Sequence, residues 1–476
     1  MSGGGTAVAV RRDVAALDGA AVERLRRGFR VLRERSAQNP AAPTGLLAQA
    51  NIHRDRCSHA TWWFLPWHRA YLLAFERVLR AAAGDPGLTL PYWDWSTAPR
   101  LPEAFWGADN PLNDPTREIT AGSRADAAFA GRTVVERILG ITDFVTFASE
   151  RSTDPLAPAA FGALEGTPHN YIHRFVGGAS GNMGDPVRAA RDPIFWLHHA
   201  NIDRLWADWA RRHPGRTPAD PAWLGQRFDF FDPQGQPLRF AVADLLDTRR
   251  LGYEYETQPA PRAGGSSVSG SQSSAGGAPQ RETPRPAPAM RAVAPPGQAA
   301  IGPRPLTMTL DPAGPLLAPR DAAPAPGDGT GPPTVRLEVE GMSPGGNPDV
   351  GVRVFLNLAD ADATTSVDDP HYVTTFAFFE HVPGAAGDAG AAGHEAPAGH
   401  EAPAGHEGHE GHETHGGPKT FYADLTPALQ ALTAAGLYRS GDPLRVTLVT
   451  VPIEPGRATR SDVTIPFRAV SVTLPD

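Results

Sequence analysis

A chain of 476 residues exceeds the ~250–300 at which a single hydrophobic core stops growing, so two or three domains are expected. With 41% hydrophobic residues, 20% charged residues and a net charge of −8, the composition suits a globular protein and offers no basic surface for nucleic acid or anionic membrane. The single cysteine, Cys57, excludes an intrachain disulfide framework.

The N-terminus has no secretory h-region, and no apolar run approaches the ~20 residues that span a bilayer, so a cytoplasmic location is expected. "VERLRRGFRVLRER" and "HRAYLLAFERVLRAAAG" repeat apolar residues at i, i+3 and i+4 and predict helices. Pro66 suits the entry of the second and Gly84 its end. "PIFWLHHANIDRLWADWARRH" predicts a third, buried helix, and Pro/Gly-rich loops separate the three.

After Glu256 the composition changes. Residues 259–303 have almost nothing to bury and are expected to form a disordered Pro/Gly/Ser-rich linker. From residue 304 short strand-like runs appear, among them "TVRLEVEGM", "GVRVFLNLA", "YVTTFAFFEHV" and "LRVTLVTVPI". The fold expected is therefore a mainly α domain over 1–258 and an all-β, sandwich-like domain over 304–476. A His-Glu-rich insertion at about 384–418 interrupts the latter, with His394, His400, His406, His409, His412 and His415. It reads either as a solvated low-complexity loop or as a weak, multivalent site for copper capture.

Two histidine clusters lie in the helical part. His53, His59 and His68 surround Cys57; His169 and His173 precede the adjacent pair His198 and His199. His169 and His173 are one helical turn apart, so one metal could take both from a single rigid element. Any one of these histidines alone reads as a satisfied core imidazole. So many together among tryptophans would be costly unless they bonded something. Two three-histidine sites between antiparallel helices of a four-helix bundle account for all but one. Nitrogen-only ligation, duplicated, suits two copper ions better than zinc.

"FLPWHRAYLLAFE" and "DPIFWLHHANID" resemble the first and second copper motifs of the type-3 dinuclear copper family: tyrosinases, catechol oxidases and haemocyanins. The resemblance implies His53, His59 and His68 on one copper and His169, His173 and His199 on the other, with O2 as co-substrate. Asp203 would support His199 from one turn further along. The closing segment "RFDFFDPQGQPLRFAVADLLDTRRLGYEYE" is similar to plant-type polyphenol oxidases, including the Tyr253-x-Tyr255 ending. The C-terminal part is more loosely similar to the domain that covers the site in their latent forms.

The same resemblance gives Glu165 and Asn170 as holders of a water that takes the proton of a monophenol. It gives Arg174 as an orienter of substrates at the entrance. Glu165 also reads as a plain helix N-terminal carboxylate. Where plant-type enzymes carry a gating phenylalanine, this chain has Pro186 and then Val187, which predicts a wider gate. The Cys57-x-His59 spacing implies a thioether between the two, with a free buried thiol as the alternative.

An oxidase of o-diphenols, with ortho-hydroxylation of monophenols and latency imposed by the C-terminal domain, is the activity expected for small phenolic substrates. Haemocyanin-like oxygen carriage and o-aminophenol oxidation use the same ligands.

Overall fold

The computed structural model describes residues 8–256, 290–293, 300–311, 334–346, 348–380, 417–454 and 463–474. The expected linker lies largely outside these residues, as do all six histidines of the His-Glu insertion.

Strand β1 (Ala9–Arg11) leads into α1 (Gly19–Gln38), whose first turn is capped by Asp18 accepting the Ala21 N–H. Leu25, Gly28, Phe29 and Leu32 form its buried stripe. Gly28 lets α1 approach the helix that carries Leu79 closely, since a Cβ would stand 2.7 Å from Cδ1 of Leu79 and that side chain would have to shift. α2 (Leu46–Arg56) ends at Cys57, and α3 (Phe64–Ala83) ends on Gly84 in the left-handed region, φ +61°. α3 is buried on nearly every face, with Arg69 and Glu76 among its buried residues.

The short helices α4 (Ala127–Ala130), α5 (Arg132–Leu139) and α6 (Phe144–Phe147) lead to β2 (Ala160–Phe161). A π-helical turn over Glu165–His169 then opens α7 (Asn170–Gly177). Pro168 lies inside that turn and has no N–H to give, which favours the wider winding. α8 (Ile194–Arg212) crosses α3, and α9 (Pro221–Gly225) precedes the hairpin β3 (Arg227–Phe231) and β4 (Pro237–Ala241). β5 (Tyr253–Tyr255) pairs in parallel with β1 and closes the helical domain.

The C-terminal region is a β-sandwich. Its strands are β6 (Met290–Val293), β7 (Ala300–Ile301), β8 (Leu306–Leu310), β9 (Arg336–Met342), β10 (Val350–Leu356), β11 (Tyr372–Phe376), β12 (Lys419–Asp424), β13 (Leu444–Pro452), β14 (Ile465–Pro466) and β15 (Ala469–Thr473). One sheet runs β11-β10-β13-β8 and the other β2-β12-β9-β15-β6. Val339, Val352, Val354, Phe421, Leu448 and Val470 fill the space between them. Among the described residues one helix, α10 (Thr426–Ala434), interrupts the strands.

Three features depart from the sequence reading. β6 and β7 fall inside the stretch read as linker and pair with β15 and β14. β2, from the helical domain, adds a parallel edge to the sandwich by pairing Ala160 with Thr420 and Phe161 with Phe421. "YVTTFAFFEHV" stops being a strand at Phe376. Beyond it the Ala377 N–H donates to Gly166 O, so the backbone bonds to the helical domain instead of to another strand.

Candidate metal centre

All seven histidines of the two clusters are buried, and they reach one cluster from six segments of the chain. α2 carries His53 and α3 carries His68, while His59 stands on the connection between them. The π turn ends on His169, α7 carries His173, and α8 carries His198 and His199. Ligand atoms of His169, His173, His198 and His199 lie within 4.8 Å of one another, as do those of His53, His68 and His199, and those of His53, Cys57 and His59. The expected six histidines therefore meet in one continuous cluster in which His199 and His53 each belong to two groups.

The rings are aimed by bonds at Nδ1. His53 Nδ1 donates to Pro186 O at 2.9 Å, His68 Nδ1 to Phe64 O at 2.8 Å, and His173 Nδ1 to Met183 O at 3.0 Å. His169 Nδ1 donates to Asn170 Oδ1 at 2.9 Å. A neutral imidazole that donates from Nδ1 keeps a lone pair on Nε2. Nε2 of His68 and of His169 is buried without a hydrogen-bond partner, and Nε2 of His173 faces Nε2 of His199 at 3.3 Å. Inward lone pairs with nothing to accept are the donor set a soft-to-borderline cation requires, so these residues fit copper.

His198 is built the other way. Its Nδ1 accepts the indole N–H of Trp95 at 3.2 Å, so in the neutral ring the proton sits on Nε2. Trp95 is a partner that the sequence reading missed; the run "YWDWS" carried no spacing that would have shown it.

Burial and mutual repulsion hold the imidazoles neutral: His68, His173, His198 and His199 are pushed well below the ordinary histidine range, and burial lowers His169 to about 3. Cys57 Sγ lies 3.4 Å from His59 Nδ1, and burial raises its thiol.

Glu165 is fully buried, which pushes its carboxyl up to about 8. Its two oxygens accept the Ala60 N–H at 2.9 and 3.0 Å, and Oε2 accepts the Ser149 hydroxyl. The amide of Asn170 donates to Ala377 O at 3.0 Å.

Several residues stand elsewhere than expected. Pro186 is buried and offers its carbonyl to His53, while Val187 is half-buried and its N–H donates to Asp185. The ring over the cluster is instead Phe379, from the C-terminal region. It stacks on His173 at 4.1 Å and 13°, edge-on to His59 and His169. Arg174 is buried and bonded to Gly178 O and, at 3.1 Å, to Asp349, so it does not line an open entrance here.

Asp203 turns away from the histidines. It accepts from Arg69 Nε at 2.5 Å, Tyr253 at 2.7 Å and Tyr255 at 2.5 Å, with Arg11 at 3.5 Å. Arg11 also lies over the Tyr253 ring at 3.8 Å. Two cations outbid burial for this carboxylate and lower it, so Asp203 ties β1 and β5 to α3 and α8.

Residues 34–140 and 122–212 match the common central domain of tyrosinase, and residues 218–266 the polyphenol oxidase middle domain. The chain is 36% identical over 225 residues to tyrosinase HcTyr1 of Hahella sp., covering 42% of this chain and 47% of that protein. It is 29% identical over 301 residues to chloroplastic polyphenol oxidase A of Solanum lycopersicum, covering 54% and 48%. It is 32% identical over 260 residues to chloroplastic (+)-larreatricin hydroxylase of Larrea tridentata, covering 46% and 44%. The chain thus spans about half the length of the curated relatives it matches.

The fold is that of latent apple tyrosinase, with TM-score 0.69, 19% identity, and 99% of this chain and 98% of that one covered. Latent aurone synthase gives TM-score 0.67 at 21% identity, with 99% and 90% covered. Among the described residues no helix is long and apolar enough to cross a membrane. The cytoplasmic expectation does not stand: the plant relatives are chloroplastic proteins, and composition does not encode a compartment. The buried histidines of the two clusters thus all lie within residues 34–212, the part of the chain that belongs to the common central domain of tyrosinase, and the polyphenol oxidase middle domain follows at 218–266.

Proposed function

We propose that this protein oxidises o-diphenols to o-quinones with O2, hydroxylates monophenols ortho to the hydroxyl, and is latent while Phe379 covers the histidine cluster. The observation that carries the reading is the set of inward-aimed imidazoles closed by an aromatic ring stacked on His173. His53, His59 and His68 would hold one copper and His169, His173 and His199 the other. Copper bound there supplies the electron exchange that couples two catechols, each losing two electrons and two protons, to the reduction of one O2 to two waters.

The chain does the rest. The carbonyls of Pro186, Phe64 and Met183 fix three ring orientations, and Asn170 fixes a fourth. Phe195 and Phe64 pack at 4.9 Å on His53 and His169 and keep water from the rings. A phenol ring entering would replace Phe379 on His173. Asn170 would then exchange Ala377 O for water or substrate, and Glu165 is the carboxyl that the family resemblance assigns to the same water.

The domain limits proposed are 1–258 and 304–476, with β6 and β7 added to the latter, which is the cover. The approach of Cys57 to His59 supports the thioether. The S–H and a ring C–H break, a C–S bond forms, and O2 takes both hydrogens to give hydrogen peroxide.

A second reading, reversible oxygen carriage, is favoured by the Phe379 cover alone. Paired monophenols and diphenols, offered to copper-loaded protein before and after displacement of the C-terminal region, separate the two. Quinone formation on uncovering supports the oxidase; copper-loaded, uncovered protein that turns over no catechol defeats it.

A further inference from the structure

Ala60, the residue after His59, is buried and holds φ +54°. An L-residue other than glycine rarely adopts that left-handed conformation unless its surroundings impose it. Here both faces of the residue are clamped. The Ala60 N–H points between the two oxygens of Glu165 at 2.9 and 3.0 Å. The Ala60 carbonyl accepts the N–H groups of Ala159 and Ala160 at 3.0 and 3.1 Å.

The acceptor is itself held. Ser149 donates to Glu165 Oε2, and the Gly162 N–H donates to Ser149 Oγ at 3.2 Å. Gly162 lies so close to Ala148 that a Cβ would collide with its backbone. The π turn that begins at Glu165 carries His169 at its other end, so the carboxyl cannot swing freely.

We propose that Glu165 is a positioning residue for His59: by accepting the Ala60 N–H it holds the left-handed corner that turns the His59 ring against Cys57. This deepens the reading of His59 as a copper ligand and thioether partner and rests on it. It adds a role for Glu165 that requires no proton transfer to a substrate. Without a buried acceptor, the Ala60 N–H would be left unpaired and the corner would relax to negative φ. His59 would then move relative to both Cys57 and the other imidazoles.

The test uses the full chain loaded with copper in air. Its readouts are the loss of ~2 Da on cross-linking, by intact and peptide mass, and the copper kept after gel filtration. Glu165→Leu is expected to slow cross-linking by about tenfold or more, since a ~1 Å misplacement commonly costs more than that. It should also leave about one tightly held copper in place of about two. Glu165→Gln keeps an acceptor oxygen and should cross-link within about threefold of the parent. Adding Ala60→Gly to Glu165→Leu should restore the rate to within about threefold, because glycine takes positive φ without help.

If Glu165→Leu cross-links at the parental rate and keeps both coppers, the proposal is overturned, and so it is if Ala60→Gly rescues nothing. Should Glu165→Leu fail to fold, Glu165→Asp, one methylene short of Ala60, carries the same expectations and the same rescue. A parent that never loses the two hydrogens defeats the thioether reading alone, and copper retention in the variants still decides the positioning role.

Discussion

The ring of Phe379 lies parallel to the ring of His173, 4.1 Å away and tilted by 13°. The two side chains come from different regions of the chain and meet over the cluster of inward-facing imidazoles. Phe379 is fixed there by backbone bonds on both sides of Ala377, which donates to Gly166 O and accepts from Asn170.

If the ring is what keeps substrate out, removing it should suffice. Phe379→Ala in the uncut chain is expected to raise catechol oxidation by about tenfold or more, as when a lid is opened. The same substitution removes a large apolar side chain at a cost of ~3 kcal/mol or more to docking of the region, which acts in the same direction. Quinone absorbance with catechol, measured on equal copper content, checks it. Parental rates in the variant would mean that the cover is made by other groups.

A cut in the linker alone should do much less. Phe355, Tyr372, Phe379, Val449, Val451 and Ile453 of the C-terminal region belong to the same apolar cluster as Tyr71, Phe129 and Trp196 of the helical domain. β2 pairs with β12, Phe161 stacks on Phe421 at 5.0 Å, and Arg137 donates to Tyr372 O. After proteolysis within 259–289 the two fragments are expected to co-elute, with catechol oxidation raised less than about threefold until ~2 M urea loosens the interface. Separation of the fragments in plain buffer would contradict this.

The sequence made the ligand-bearing elements legible because their signals are local. A largely apolar run around His68 becomes α3, and the one-turn spacing of His169 and His173 still brings the two rings together, to 4.6 Å, although His169 ends a π turn. What escaped depends on distant pairing. Asp203 stands one turn after His199, as ligand support would, yet its partners Arg11, Arg69, Tyr253 and Tyr255 come from the two ends of the domain. Phe379 sits in a run that alternates like a strand, and only the loss of a neighbouring strand at Ala377 makes it a cover. β2 is two residues long and strand-like only because β12 is beside it.

The buried imidazoles set the acid stability of the metal-free protein. His68, His169, His173, His198 and His199 have folded values below the usual 6.5, so between their folded values and 6.5 the unfolded chain binds more protons than the folded one. Stability from these groups is present above 6.5 and is lost as pH falls. Glu165 and Glu380, raised by burial to about 8 and about 7 from 4.5, act in the opposite sense and favour the folded chain at lower pH. Between 4.5 and 6.5 the five imidazoles outweigh the raised carboxyls, and just above 6.5 the two glutamates dominate. The melting temperature of metal-free protein should therefore peak near 6.5 and fall by about 5–10 °C at pH 4.5. A profile flat from 4.5 to 6.5 in thermal unfolding would contradict the burial of these rings.

His198 and His199 are adjacent, both are buried, and the ligand atoms of both lie within 4.8 Å of those of His169 and His173. Distance does not separate them, but protonation does. The Trp95 indole can only donate, so His198 Nδ1 must accept and Nε2 must carry the proton. His199 has no such donor: its Nδ1 has no hydrogen-bond partner and its Nε2 faces His173 Nε2. His199→Ala should therefore lower the copper retained after gel filtration from about two per chain to about one, whereas His198→Ala should keep about two. Trp95→Phe removes the donor that holds the His198 tautomer, frees its Nδ1, and lets either nitrogen offer a lone pair. In Trp95→Phe combined with His199→Ala, His198 can then take the lost place, and copper content should recover toward about two. Metal analysis of the four proteins decides it, and equal loss of copper from His198→Ala and His199→Ala would show that the indole bond does not select the ligand.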